Sequence, residues 1–297
     1  MFIVAIEGGL GNQMFQYAFF MALQEKYEDV LMKLDLSLIR SDMHNGYELQ
    51  NVFGICQPLC SAKEVIKYSE YCSGKIQMGK VWTFIWAVRR KLFGRKKSFF
   101  YQTNSTKYDI LWEELDKNKN YYFKGVWANY KYFSQYEEAI RKTFVFPQIV
   151  DEQNLKWKKM IEQTNSVSIH FRGGDYYKEN FTIMGQEYYT KAIGLLKERF
   201  EERFEELSFF IFTNDLKNAK KNIGDIDHCY YVDNNQGNNS YIDMQLMSLC
   251  KHNIMANSTF SFWGAYLNSN DDKVVIGPQS TAGKCSEPYW FEGVILL

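Results

Sequence analysis

Residues 166–176 read SVSIHFRGGDY, and four residue types within that stretch suit the handling of an anion. Arg172 carries a planar fork of donors that keeps its charge at any working pH and matches phosphate oxygens in pairs. Gly173 and Gly174 lack side chains, so the main chain there can approach a ligand and turn its amides inward. His170 stands two residues before Arg172 and points to the same side if the strand persists that far. Asp175 follows, and a structural pair between Arg172 and Asp175 is the competing reading. The residues alone weigh the two evenly.

Three further stretches carry groups of the same kind. In NSYIDMQLMSLCKHN, Asp243 offers a carboxylate of the sort that accepts the two adjacent N–H donors of guanine. Ser240 and Asp243 also match the S-x-x-D capping box, which needs no ligand, and both readings stand. NSTFSFWGAYL sets Asn257, Ser258, Thr259 and Ser261 between a strand and a helix, where hydroxyls and free amides form an anion site. Near the N-terminus, Gly9-Leu10-Gly11 opens like a dinucleotide fingerprint, with Asp35 near the distance of a ribose-binding acid. Met14 occupies the place of the third glycine and obstructs the close helix–strand approach that fingerprint uses. Asn12 and Gln13 instead put two amides at the helix start, suited to sugar hydroxyls or a phosphate oxygen. Asn12 as a plain helix cap is the alternative. Asp225-Ile226-Asp227 is a literal D-x-D, a string short enough to arise by chance. No Gly-x-Ser-x-Gly, His-Glu-x-x-His or Walker loop occurs.

These groups need rigid elements behind them. FIVAI followed by three glycines, an almost wholly apolar helix and DVLMKLDL reads as a strand–helix–strand unit of the nucleotide-binding kind. Between 36 and 120 the pattern is looser, with helical segments over 61–71 and 79–93 and a strand at 99–102. YYFKGVWANYKYF (121–133) reads as a strand followed by an aromatic-lined helix. Pro147 marks a change of pattern and a domain boundary near 150. Beyond it, SVSIHF, SFFIFT, CYYVD, NIMAN and KVVIG alternate with helical stretches. Strands separated by helices imply a parallel sheet with right-handed crossovers. The expected architecture is α/β, with Rossmann-like domains over 1–150 and 151–297 facing a cleft at the carboxyl ends of their strands.

The 297 residues suit two domains of this size. Lys+Arg and Asp+Glu balance at 35 each, so no global field draws the chain to nucleic acid. The N-terminus lacks a basic region and a cleavage site, and no apolar run spans a bilayer, which points to the cytoplasm. Cys56, Cys60, Cys72, Cys229, Cys250 and Cys285 are scattered, as reduced thiols are. Residues 75–97 hold eight basic residues and no acid, with Trp82, Phe84, Trp86 and Phe93 interleaved. Such a helix either touches an anionic membrane from the inner face or forms a solvated face over a buried stripe.

GGLGNQMFQYAF, HFRGGD, FIFTND and LMSLCKHNIMANSTFSFWGAYL together resemble, in order, the opening and the three motifs of the bacterial α-1,2-fucosyltransferases of glycosyltransferase family 11. The resemblance implies a GT-B fold and metal-independent, inverting transfer of L-fucose from GDP-fucose to the 2-hydroxyl of a terminal galactoside. No cofactor is implied beyond the donor itself. The resemblance also implies a glycan acceptor, on a surface polysaccharide or oligosaccharide, bound mainly by the N-terminal half. His170 and Asp243 would lie at the nucleotide, Arg172 at the diphosphate, and Asn257, Ser258 and Ser261 near the phosphates. Asn12 and Gln13 would face the donor sugar, and Asp35 and Trp127 the acceptor. No base is evident from the motifs; Asp175 is a candidate by position and Asp35 a weaker one. Gly173 departs from the second arginine of the family's H-x-R-R-x-D motif. Another nucleotide sugar or linkage, a nicotinamide oxidoreductase and a catalytically silent glycan-binding protein are the competing functions.

Overall fold

The computed structural model describes residues 1–39, 44–70, 80–174, 183–279 and 289–297. The chain divides into two compact units, Met1–Phe144 and Val145–Leu297. The division precedes Pro147, because the segment after Phe144 is committed to the second unit. Ile149 is buried beside Ile161, Phe146 stacks on Tyr241, and the Pro147 carbonyl accepts the Gln245 side-chain amide at 2.9 Å.

The first unit is built on a parallel sheet in the order β2-β1-β4-β3, with β1 Phe2–Ala5, β2 Met32–Asp35, β3 Phe99–Tyr101 and β4 Tyr121–Lys124. Helix α1 (Leu10–Lys26) follows β1 and buries side chains around its whole circumference. That matches its mostly apolar sequence, since a helix without a continuous polar face must be covered. The short helices α2 (Glu48–Phe53) and α3 (Ala62–Tyr68), then α4 (Lys80–Phe93), fill the looser stretch before β3. After β4, where the sequence predicts an aromatic helix, the chain makes 3-10 turns at Tyr130–Tyr132 and Ser134–Tyr136 before α5 (Glu137–Thr143). The reason is packing: Trp127, Tyr132 and Phe133 are driven inward around Phe15 and Phe19, which bends the backbone away from helical spacing.

The second unit is a six-stranded parallel sheet in the order β10-β9-β8-β5-β6-β7. Its strands are β5 Asn165–Phe171, β6 Leu207–Thr213, β7 Cys229–Val232, β8 His252–Ile254, β9 Val275–Gly277 and β10 Val294–Leu296. Read from the first strand of the unit, this is the doubly wound Rossmann order, with the switch point between β5 and β8. Both faces of the sheet are covered, which is why its strands read as near-continuous apolar runs. Val167, Ile169 and Phe171 pack with Phe209 and Ile211 against helices α7 (Gln186–Phe200) and α8 (Leu216–Ile223). Phe210 and Phe212 point the other way, onto α6 (Glu152–Gln163) and α9 (Tyr241–Leu249). Each fully buried side chain of this kind contributes about 1.5–3 kcal/mol. Helix α10 (Thr259–Leu267) follows β8. The sixth strand, β10, is not among the five alternations of the sequence; it is added by the short VIL run beside β9.

The two parallel α/β sheets are Rossmann-like, as the sequence pattern requires. Among the described residues no helix is long and apolar enough to cross a membrane, and Cys56, Cys60, Cys229 and Cys250 are free thiols. Cys72 and Cys285 lie outside the described residues.

Candidate active site

The carboxyl ends of β5, β6 and β8 bring three of the sequence motifs to one edge of the second sheet. β5 lies between β6 and β8, with Phe171 opposite Thr213 and Ile169 opposite Ile254. The residues that follow these strand ends therefore meet at the switch point, where open α/β sheets take their ligands.

His170 alternates with Ile169 and Phe171 and so lies on the other face from their core. It is buried at 4% exposure, its ring 5.8 Å from that of Phe260, and its carbonyl accepts the Tyr189 hydroxyl at 2.9 Å. Burial, and then the charge of Arg172, lower its pKa to about 3. The imidazole is therefore neutral at any working pH. Its Nδ1 is buried and has no hydrogen-bond partner among the described residues. Arg172, half-buried, lies close enough to contribute to that shift.

The next residues are gripped by the second motif. Asn214, just past β6, accepts the Gly173 N–H at 3.0 Å and donates to the Gly173 carbonyl at 3.4 Å. Asp215 caps α8 by accepting the Asn218 N–H at 3.2 Å and the Asn218 amide at 2.7 Å. That side-chain amide first, with the main-chain N–H groups of Asn218 and Gly174, holds the Asp215 carboxyl below its ordinary value. A Cβ at Gly173 would stand 2.8 Å from Asp215 Oδ2 and 2.9 Å from Asp215 Cβ. Gly173 is thus required by close approach, and the space where the family's second arginine would begin is filled by Asp215. The sequence does not assign roles to Asn214 and Asp215; their place in FIFTND was the available signal. Asp175, expected as base or as partner of Arg172, lies outside the described residues.

At the end of β8, Asn257, Ser258 and Ser261 are all buried. Ser258 Oγ accepts the Phe260 N–H at 3.3 Å and so caps α10. Ser261 Oγ donates within the same turn, 3.1 Å from the carbonyls of both Ala256 and Ser258. Ser261 thus directs its hydroxyl to the main chain of the turn in this structure. The main-chain amides at the start of α10 are an arrangement of the kind that binds anions.

Asp243 lies in the first turn of α9, and Ser240 makes no side-chain cap there, so the capping-box reading does not hold. Instead the Asn235 amide donates to Asp243 Oδ1 at 2.7 Å. Asn235 is itself fixed by Asn154, donating to Asn154 Oδ1 at 3.0 Å and accepting from Asn154 Nδ2 at 2.8 Å. Asn234 joins the same group, and its side-chain Oδ1 accepts the Trp157 indole N–H at 2.9 Å. Burial pushes the Asp243 carboxyl up to about 7, against the opposing Asn235 hydrogen bond and with a smaller push from Asp233. This asparagine group was not legible in the sequence, where NNQGNN reads only as a polar loop.

The first unit treats its expected site residues differently. Gln13 is fully buried: its Nε2 donates to the carbonyls of Gly8 and Gly46, both at 2.8 Å, and its Oε1 accepts the Glu48 N–H at 2.9 Å. The expectation that Gln13 faces the donor is corrected, since every strong donor and one acceptor site of its amide is already used. Asn12 is half-buried and folds back over Gly8, whose φ of +80° only glycine adopts readily; a Cβ there would meet Asn12 Nδ2 at 2.8 Å. Asp35 is buried, accepting the Tyr122 hydroxyl and, at 2.8 Å, the Ser37 N–H. Trp127 is 3% exposed and stacked on Phe19 at 4.4 Å. Neither Asp35 nor Trp127 presents a surface to an acceptor, because both close the core of the first sheet. Asp225 and Asp227 line a hollow with Ile226, Cys229 and Tyr231, and among the described residues no three potential metal-ligating side chains are grouped.

A parallel Rossmann-like sheet with an arginine, bare main chain and a helix start at its switch point makes this an α/β protein with groups suited to an anion where such sheets bind their ligands. Residues 95–287 match the family model Glycosyl transferase family 11. The chain is 30% identical to the O-antigen biosynthesis glycosyltransferase WbnK of Escherichia coli, over 97% of this chain and 94% of that protein. It is 32% identical to an alpha-1,2-colitosyltransferase of Escherichia coli, over 93% and 90% respectively. It is 26% identical to galactoside alpha-(1,2)-fucosyltransferase 1 of Oryctolagus cuniculus, over 55% of this chain and 47% of that one. The chain belongs to glycosyl transferase family 11 and is a glycosyltransferase for a fucose-like sugar.

Proposed function

We propose that the protein transfers L-fucose from GDP-fucose to the 2-hydroxyl of a terminal galactoside on a surface glycan or oligosaccharide, with inversion at the anomeric carbon. The observation that carries this reading is the group at the end of β5: a neutral His170 and an Arg172 beside main chain held by Asn214. Two relatives whose names carry a 1,2 linkage, one of them a galactoside fucosyltransferase, support the linkage and the acceptor.

In the proposed reaction the acceptor oxygen forms a bond to the fucose anomeric carbon as the bond to the β-phosphate oxygen breaks. The leaving electron pair goes to GDP, and the acceptor proton goes to a base. The transition state resembles the oxocarbenium ion of glycoside cleavage. The growing charge is on the diphosphate, where Arg172 and the amides at the start of α10 stabilise it more than they stabilise the bound donor. Asp243 accepts the paired N–H donors of guanine, held in orientation by Asn235.

A second reading is favoured by the 32% identity to a colitosyltransferase: the donor sugar is the 3-deoxy analogue of fucose. Assay of the full chain with GDP-fucose, GDP-colitose, GDP-mannose and UDP-galactose, each with lactose, separates the two. Release of GDP with a 1,2-linked fucosyl product is the expected result. Preference for GDP-colitose replaces the first reading with the second, and UDP-galactose use or a product with no new 1,2 bond overturns both.

A further inference from the structure

Helix α4 carries a surface that the transfer reaction does not use. Phe84, Val88 and Leu92 recur every four residues, and Ile85 lies beside them, which aligns the four on one face of a helix. That face points away from the protein: Phe84 is 70% exposed, Leu92 68% and Phe93, at the end of the helix, 78%. Elsewhere among the described residues, large exposed apolar side chains emerge singly or in pairs. A run of this kind is uncommon on a free surface.

The helix is not simply loose, because its other side is fastened to the body of the unit. Arg89 Nη1 lies 4.0 Å from Glu70 Oε1, and the Glu70 side chain is fully buried. Lys96 donates from Nζ to the carbonyls of Lys67 at 2.9 Å and Ser69 at 3.2 Å, and from its backbone N–H to Glu70. Trp86 is half-buried between the two cations, with Lys96 Nζ 4.5 Å and the Arg89 guanidinium 5.1 Å from its ring. The polar anchors therefore face inward and the apolar stripe outward, the reverse of an ordinary surface helix.

Charge says what covers the stripe. From Lys80 to Lys97 the sequence contains no acidic residue, in a chain whose charges balance overall. Lys91, Arg95 and Lys97 are exposed around the apolar side chains, and Arg90 is half-buried. Another copy of the chain meeting this face would bring cation against cation. A lipid surface offers acyl chains to Phe84, Leu92 and Phe93 and anionic headgroups to the surrounding cations. We propose that α4 docks the protein on an anionic lipid surface, with its axis along the plane of that surface.

The test is sedimentation of the full chain with two kinds of vesicle, phosphatidylcholine alone and phosphatidylcholine mixed with phosphatidylglycerol. Binding is expected to the mixed vesicles only, and to weaken with salt because headgroup attraction is screened. The double variant F84S/L92S and the double variant K91E/K97E should each reduce partition at least about tenfold. All four side chains are exposed, so thermal unfolding and turnover on a soluble acceptor should match the parent. Absence of binding to the mixed vesicles, equal binding to both kinds, or undiminished binding by either variant overturns the proposal. A dimer in sedimentation equilibrium that F84S/L92S dissociates also overturns it, by showing that a second copy covers the stripe.

Discussion

The two glycine turns of this chain begin alike and end differently. Each follows the strand that opens its unit, and each combines glycines with side chains able to hold sugar or phosphate. In the turn at Gly8–Gln13, the polar side chains bond inward. Gln13 ties Gly8, Gly46 and Glu48 together, and Gln16 joins the Glu7 N–H to the Gly125 carbonyl. In the turn at His170–Gly174 the support comes from outside, through Asn214 and Asp215, and the turn's own His170 Nδ1 is left unbonded among the described residues. A turn whose side chains hold the fold has little left for a ligand. A turn held by its neighbours keeps its side chains for chemistry, as preorganised sites require.

That contrast can be broken most forcefully at Arg172. Arg172→Ala should lower kcat about a hundred- to thousand-fold, roughly 3–4 kcal/mol of lost transition-state stabilisation, with the melting temperature near the parent's. Near-normal turnover would remove this arginine from the reaction. Gln13→Ala should do the opposite, lowering stability by about 3 kcal/mol in urea unfolding while the folded fraction binds GDP as before. Full stability with lost GDP affinity would return Gln13 to the ligand.

Gly173→Arg restores the residue the family motif carries, yet its Cβ would collide with Asp215. It should cost about 1–3 kcal/mol in stability and bring no gain in turnover; a faster enzyme would refute the steric account. The smallest effect concerns Asp243, whose folded carboxyl titrates near 7. A folded group that holds its proton more tightly than the unfolded chain contributes stability at low pH and loses it as pH rises through that value. Guanine needs the ionised form, so donor affinity should weaken about tenfold per pH unit below about 7 and level off above it. Asp243→Asn should abolish that dependence, as read from GDP titrations across pH.

Legibility in the sequence follows the range of the interactions involved. The first five strands of the second sheet are plain in the sequence because each is a contiguous apolar run, and the glycines mark the turns that follow β1 and β5. Trp127 misleads because aromatic residues suit both a sugar platform and a core. Only the packing of Phe19 against it decides for the core. Ser240 and Asp243 leave two readings open in the same way: their spacing fits a cap, and only the Asn235 amide at the carboxylate decides against it.

The chain by itself determined the elements, their alternation and the strand ends that carry Arg172, Asn214 and Ser258, since local propensity and hydrophobic period act over a few residues. Tertiary structure decided which polar groups were left for a ligand. Hydrogen bonds saturate, and whether Gln13 or His170 is satisfied depends on partners that folding brings from distant positions: Gly46 reaches Gln13, while Asn214 supports the turn beside His170, whose Nδ1 has no partner among the described residues.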